Sequence, residues 1–178
     1  MRPVSNPPNP FAHHTLEWDG PEPPAELQLF EEHAKSVLSK NDSPDIGFEY
    51  SLNPYRGCFH ACAYCYARPT HQYLDFGAGT DFDRKIVVKV NAPERLREAF
   101  RKPSWLGRPL VFSGNTDCYQ PIEASYELTR ECLRACHDHA NPVLVAYGGD
   151  IVLEDTRLLF YYQNRLAAHG LAHDLLRH

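Results

Sequence analysis

The sequence predicts an α/β fold built on a parallel sheet. Three observations carry that expectation. Short β-rich runs alternate four times with longer segments of helical periodicity after residue 46, a single amphipathic stretch precedes them, and seven of the 15 prolines crowd into the first 24 residues. The Pro-rich start lacks apolar periodicity and reads as an extended arm. "AELQLFEEHAKSVLSK" follows, with Leu27, Phe30, Ala34, Val37 and Leu38 at helical spacing and charges opposite, which predicts one amphipathic helix. Turn chemistry in "NDSPDIG" ends it. The expected strands are "FEYSL", with Phe48, Tyr50 and Leu52 at period two, then "KIVVKV" (85–90), "PLVFSG" (109–114) and "NPVLVAY" (141–147). The last three each lead into a helical segment. These are "NAPERLREAFRK", with Asn91 as N-cap and Pro93 in the first turn, "IEASYELTRECLRACHDHA", and "DTRLLFYYQNRLAAHG", closed by Gly170. The expected division is an arm and helix over 1–45 and an α/β core over 46–178.

A chain of 178 residues is one domain's worth and can bury a core without disulfides. No apolar run approaches the roughly 18 residues that a membrane span needs. The N-terminus lacks the apolar segment and cleavage site of a secretory signal, so the expected location is cytoplasmic and the six cysteines point to metal or catalysis before disulfides. The net charge of -5 is uneven: residues 51–110 carry ten basic and five acidic side chains, whereas both flanks are acidic. That basic third could draw an anionic ligand or a nucleic-acid substrate, or its cations could sit on solvated helix faces. The overall pI near 6.0 favours the second reading.

The basic third also holds "RGCFHACAYCYARPTH", in which Cys58, Cys62 and Cys65 form C-x3-C-x2-C just after the first strand of the core. Gly57, Ala61 and Ala63 let the loop curl tightly. Such a loop lies at the carboxyl edge of a parallel sheet, where α/β architectures place their sites. Structural zinc and ordinary electron-carrying iron–sulfur clusters take four protein ligands, so three thiols suit a centre with one position left open. Zinc completed by His60 or Cys118, or three unrelated cysteines, remain alternatives on spacing alone.

With Tyr64 as its aromatic, the motif matches C-x3-C-x-aromatic-C, and the sequence resembles the radical S-adenosylmethionine superfamily. The likeness is to the branch related to spore photoproduct lyase and the DNA-repair-photolyase-like proteins. It rests on "SPDIGFEYSLNPYRGC", "CAYCYARPTHQYL", "DFDRKIVVKVNAPERL" and "NTDCYQPIE", and extends from about Asp42 to Ala172. The resemblance implies a 4Fe-4S cluster held by Cys58, Cys62 and Cys65, with S-adenosylmethionine on the fourth iron and Tyr64 beside the adenine. An external one-electron reductant would then drive cleavage of the cofactor to a 5'-deoxyadenosyl radical. Asn115, Thr116 and Asp117 in "SGNTDCYQPIE" offer donors and acceptors to a ribose or ammonium, or simply cap the loop. Cys118 stands where relatives usually have proline, and is expected to be a small loop residue. Lys89 and Asn91 could face the same pocket. His60 and His71 are expected to be solvated or to hydrogen-bond around the site, His169, His173 and His178 to be solvated, and Cys132 and Cys136 to pack.

The family's core is a partial (βα)6 barrel, and this sequence supplies about four units, its N-terminal part. "VLVAYGGD" departs from the Thr-Lys turn that follows the fourth strand in relatives. Three expectations follow, in this order: a truncated or split gene product with little activity, a half completed by a second chain as partner, or a minimal enzyme. The competing functional expectation is a non-enzymatic structural module for zinc or an iron–sulfur cluster, or an inactive gene fragment.

Overall fold

The computed structural model describes residues 26–45 and 47–145. They form a mixed α/β assembly of two sheets with no closed barrel. The first sheet joins β1 (Gln28–Glu32), β5 (Lys85–Lys89) and β4 (Tyr55–Arg56) in that order, β1 parallel and β4 antiparallel to the central β5. The second runs β2 (Leu38–Lys40), β3 (Tyr50–Leu52), β6 (Leu110–Phe112) and β7 (Val143–Val145). In it β3, β6 and β7 are parallel and β2 is antiparallel to β3. The helices are α1 (Thr80–Arg84), α2 (Ala92–Phe100), α3 (Glu123–Tyr126) and α4 (Leu128–Asp138), with a 3-10 helix over Arg68–Leu74. No helix among the described residues is long and apolar enough to cross a membrane.

Two expectations are corrected. The segment read as one amphipathic helix forms β1 and β2 instead. "KIVVK" is buried along nearly its whole length and needs a partner on each edge; Gln28–Glu32 pairs with it residue for residue, from Gln28 opposite Lys85 to Glu32 opposite Lys89. Tertiary pairing thereby overrides a helical pattern whose apolar residues are only partly used: Ala34 and Val37 are buried, while Leu27, Leu29 and Phe30 stay exposed. Nor do the four expected strands share one parallel sheet. β5 lies outside it, because Tyr55–Arg56 turns back against β5 immediately after β3 and leaves β3 to pair directly with β6.

Asn91 does not cap α2 with its side chain. Its amide instead accepts from Ala34 N (2.9 Å) and donates to Ala34 O (3.0 Å), pinning the β1–β2 connection. The expected single helix over 122–140 breaks at Glu127, which takes a left-handed φ of 51° between α3 and α4. The arm before residue 26 and the helical segment at 155–170 lie outside the described residues.

The main core lies between the second sheet and helices α2 and α4: Leu52, Leu110 and Phe112 meet Leu96, Phe100, Cys132, Leu133 and Cys136. Each such leucine contributes about 1.5–3 kcal/mol by leaving water. Trp105 closes one end, edge-on to Tyr50 and donating from Nε1 to Asn141 Oδ1 at 2.8 Å. A second cluster, Tyr55, Ile86, Val88, Ile122 and Leu128, backs the first sheet. A third, Cys58, Ala67 and Phe82 with Cys65 against it, supports the cysteine loop.

Candidate metal and cofactor site

The cysteine loop leaves the end of β4 through Gly57, whose φ of 79° belongs to the left-handed region that glycine favours. Phe82 O accepts from Cys58 N at 2.9 Å, tying the loop to α1. Ala61, with φ 56°, reverses the chain as Ala61 N donates to Cys58 O (3.2 Å), and Cys65 N donates to Cys62 O (3.2 Å) to close the next turn. Arg68 organises that turn from below. Its Nε donates to Cys62 O (3.0 Å), one terminal nitrogen to Gly79 O (2.9 Å), and the other pairs with Asp83 (2.8 Å), while the guanidinium lies over Phe82.

The six cysteines are free thiols. Cys58 is buried, whereas Cys62 and Cys65 are partly open. Burial pushes the Cys58 thiol up, opposed by the backbones of His60 and Asp117 and reinforced by the Asp117 carboxylate and Cys65. A bound cation would reverse that preference. Among the described residues no three His, Cys, Asp or Glu side chains converge on a common metal position, so neither His60 nor Cys118 completes a preformed zinc site. Donor number and kind fit a three-thiolate centre; Cys65 packs against the cluster that holds Cys58, and Cys62 lies outside it.

The second segment follows β6 and faces this loop. Asn115 Nδ2 donates to Thr70 Oγ1 (3.2 Å), and Thr116, buried, donates from Oγ1 to Tyr55 O (2.8 Å). Asp117 Oδ1 accepts from Tyr119 N (2.8 Å), and Oδ2 lies 3.5 Å from His60 Nε2. Asn115 and Thr116 thus spend their side chains on joining the two loops, and Asp117 stands beside Cys58. Tyr64 is 90% exposed at the tip. Tyr66 reaches across, its OH donating to Gly114 O at 3.0 Å.

Lys89 is buried and donates from Nζ to Asn53 O (3.0 Å); burial, aided by Arg56, brings its ammonium down to about 8. Asn91, pinned to Ala34, does not share that position. Cys118 is buried, its thiol pushed up to about 12 by burial, and Cys132 and Cys136 are buried in α4. His71 is buried rather than solvated, tilted against Phe76 and edge-on to Phe82; burial lowers it to about 4, opposed by backbone hydrogen bonds at Lys85 and Asp81. Within the basic third Arg68, Lys85, Arg95, Arg97 and Arg108 each pair with a carboxylate.

Two residues of this region have no local signal in the sequence beyond lying in "CYQPIE". Gln120 is completely buried against the cysteine loop. Glu123, also buried, accepts from the Tyr55 hydroxyl through Oε2 and from Arg130 N through Oε1 (3.1 Å). Burial pushes the Glu123 carboxyl above its ordinary value near 4.5, opposed by Tyr55 and the backbones of Thr129 and Arg130; burial and the Glu123 charge push the Tyr55 phenol up. The native state therefore binds this proton more tightly than the unfolded chain. The stability it contributes is full below the ordinary carboxylate value and is lost as pH rises through the raised native one. Glu123→Gln keeps the acceptor for Arg130 N and removes the ionisation. The expected result is a higher melting temperature near pH 7, with the gain shrinking as pH falls into the ordinary carboxylate range. A difference constant across pH in thermal melts would assign the effect to packing instead.

No family model matches the chain, and no solved structure matches it. It is 42% identical over 126 residues to an uncharacterized protein of Mycobacterium tuberculosis, a match covering 70% of this chain and 37% of the relative. An uncharacterized protein of Methanocaldococcus jannaschii is 29% identical over 134 residues, covering 75% and 48%, and one of Acidianus two-tailed virus 27% identical over 139 residues, covering 74% and 46%. The matched part thus spans well under half to about half the length of these relatives.

Proposed function

We propose that this chain is the cluster-bearing part of a radical S-adenosylmethionine protein, with Cys58, Cys62 and Cys65 as ligands to three irons of a 4Fe-4S cluster. The observation that carries this reading is a donor set of three free thiols at C-x3-C-x2-C on one loop. One of the three has its backbone fixed and the other two lie on an open turn. Held by these three thiolates, such a cluster would supply one-electron reductive cleavage of S-adenosylmethionine, with the electron coming from an external reductant.

The chain's own residues supply the surroundings. Arg68 holds the carbonyl of Cys62 and thereby the turn that carries Tyr64, which in this reading would lie beside the adenine. Asp117, beside Cys58 and His60, provides an acceptor for the ammonium of the cofactor. The remaining wall comes from the rest of a longer protein or from a second chain. A nucleic-acid substrate is the weaker part of the proposal, because five cations of the basic third are already paired. Free thiols at the site fit a reducing, cytoplasmic setting.

A purely structural metal module is the second reading. It is favoured by one observation, that Asn115 and Thr116 are already engaged by Thr70 and Tyr55. Anaerobic reconstitution with iron and sulfide, followed by EPR of the reduced protein with and without S-adenosylmethionine, separates the two. A four-iron signal altered by the cofactor is the expected result. A signal indifferent to it supports the structural module, and retention of zinc with no cluster removes the iron–sulfur reading.

A further inference from the structure

We propose that Gln120 is the positioning residue for Cys58, a role that rests on the reading of Cys58 as a cluster ligand. Gln120 Nε2 donates to Gly57 O at 3.2 Å, and its Oε1 accepts from Phe59 N at 3.0 Å. These are the backbone groups immediately before and after Cys58. On the loop's other side Cys58 N donates to Phe82 O at 2.9 Å. Cys58 is thus strapped from both sides, by a main-chain carbonyl of α1 and by an amide acting as one residue of an adjoining strand.

The amide itself is fixed. Gln120 is 0% exposed, and its carbonyl accepts from Glu123 N at 2.8 Å, which ties its backbone to the first turn of α3. Glu123 is held in turn by Tyr55 and Arg130. A carboxylate could not serve as well as the amide, since the position requires one donor and one acceptor side by side. Among the described residues neither Cys62 nor Cys65 is flanked by such an amide: Arg68 holds the Cys62 carbonyl, and Tyr66, next to Cys65, reaches Gly114 O through its hydroxyl. The geometry therefore makes Cys58 the fixed ligand against which the other two thiols close, and Gln120 the group that fixes it.

The test uses full-length Gln120→Met, which keeps volume and removes both hydrogen bonds, and Gln120→Glu, which keeps the acceptor for Phe59 N. Alkylation of the metal-free protein is followed by peptide mapping, with Cys132 as the buried reference. In Gln120→Met the rate at Cys58 is expected to rise roughly thirtyfold relative to wild type, the factor corresponding to two ordinary hydrogen bonds, while Cys62 and Cys65 change little. Gln120→Glu sets a carboxylate oxygen against Gly57 O and is expected to raise the Cys58 rate at least as much as Gln120→Met. After reconstitution, Gln120→Met is expected to bind less iron or to give a shifted EPR spectrum.

An unchanged Cys58 rate overturns the inference whatever the iron content. So does a rise shared by Cys132, which reports general loosening. If wild type takes up no cluster while Cys58 still responds selectively, the radical S-adenosylmethionine reading fails and with it the ligand role of Cys58; Gln120 then remains only the group that holds this thiol.

Discussion

Gly57→Ala is expected to cost roughly 2–5 kcal/mol and to abolish metal loading. Two penalties act together. The φ of 79° is one that an L side chain rarely adopts, and a Cβ at this position would lie 2.9 Å from Phe82 O and 3.0 Å from His71 Cε1 and Ile86 Cδ1. None of those atoms can move freely. Phe82 O is backbone and accepts from Cys58 N, while His71 and Ile86 are themselves buried. Relief of the clash therefore has to come from the cysteine loop, which shifts away from Phe82 and releases Cys58. Gly107 supplies the control, with a similar φ of 66° but open space around its Cβ position. Gly107→Ala should lose only the conformational part, about 1 kcal/mol. Denaturant melts of both variants, read beside iron content, test the difference. Equal losses would mean that the close approach to Phe82 carries no weight.

The elements that were legible in the sequence are those whose pattern follows from burial alone. β5 and β6 are runs of β-branched and large apolar residues because they are inner strands buried along nearly their whole length, and α2 and α4 keep a 3.6-residue apolar stripe because they pack on one sheet face. Gln28–Glu32 was illegible for a definite reason. Its strand character comes from the edge of β5, 57 residues away in sequence, and its own side chains are mostly exposed, so no alternation marks it. The site divides in the same way. The three cysteines and the 113–123 segment announce themselves by spacing and residue type, but what joins them does not. Gln120 to Gly57, Thr116 to Tyr55 and Tyr55 to Glu123 are contacts across 63, 61 and 68 residues. In sequence Gln120, Tyr55 and Glu123 are ordinary residues with no local signal; only the fold shows that they are fasteners of the cysteine loop.

Cys62→Ala and Cys132→Ala are expected to have opposite signatures, and this pair bears most directly on the metal assignment. Cys62 sits on the half-exposed turn, with its carbonyl held by Arg68 and its sulfur outside the packed cluster of Cys58, Ala67 and Phe82. Removing that sulfur leaves the turn's hydrogen bonds in place, so stability should change by no more than about 0.5 kcal/mol, while iron binding falls to background because a cluster with two protein ligands is not retained. Cys132 lies fully buried in α4, in the core with Leu96 and Phe112, and burial holds its thiol neutral far above its ordinary range. Its loss leaves a small void worth about 1–2 kcal/mol and should leave iron content at the wild-type level. Thermal melts and iron and sulfide analysis of the two variants therefore separate ligand from filler without any knowledge of the substrate. Equal loss of iron from both would show that loading follows overall stability, and would remove Cys62 from the ligand set.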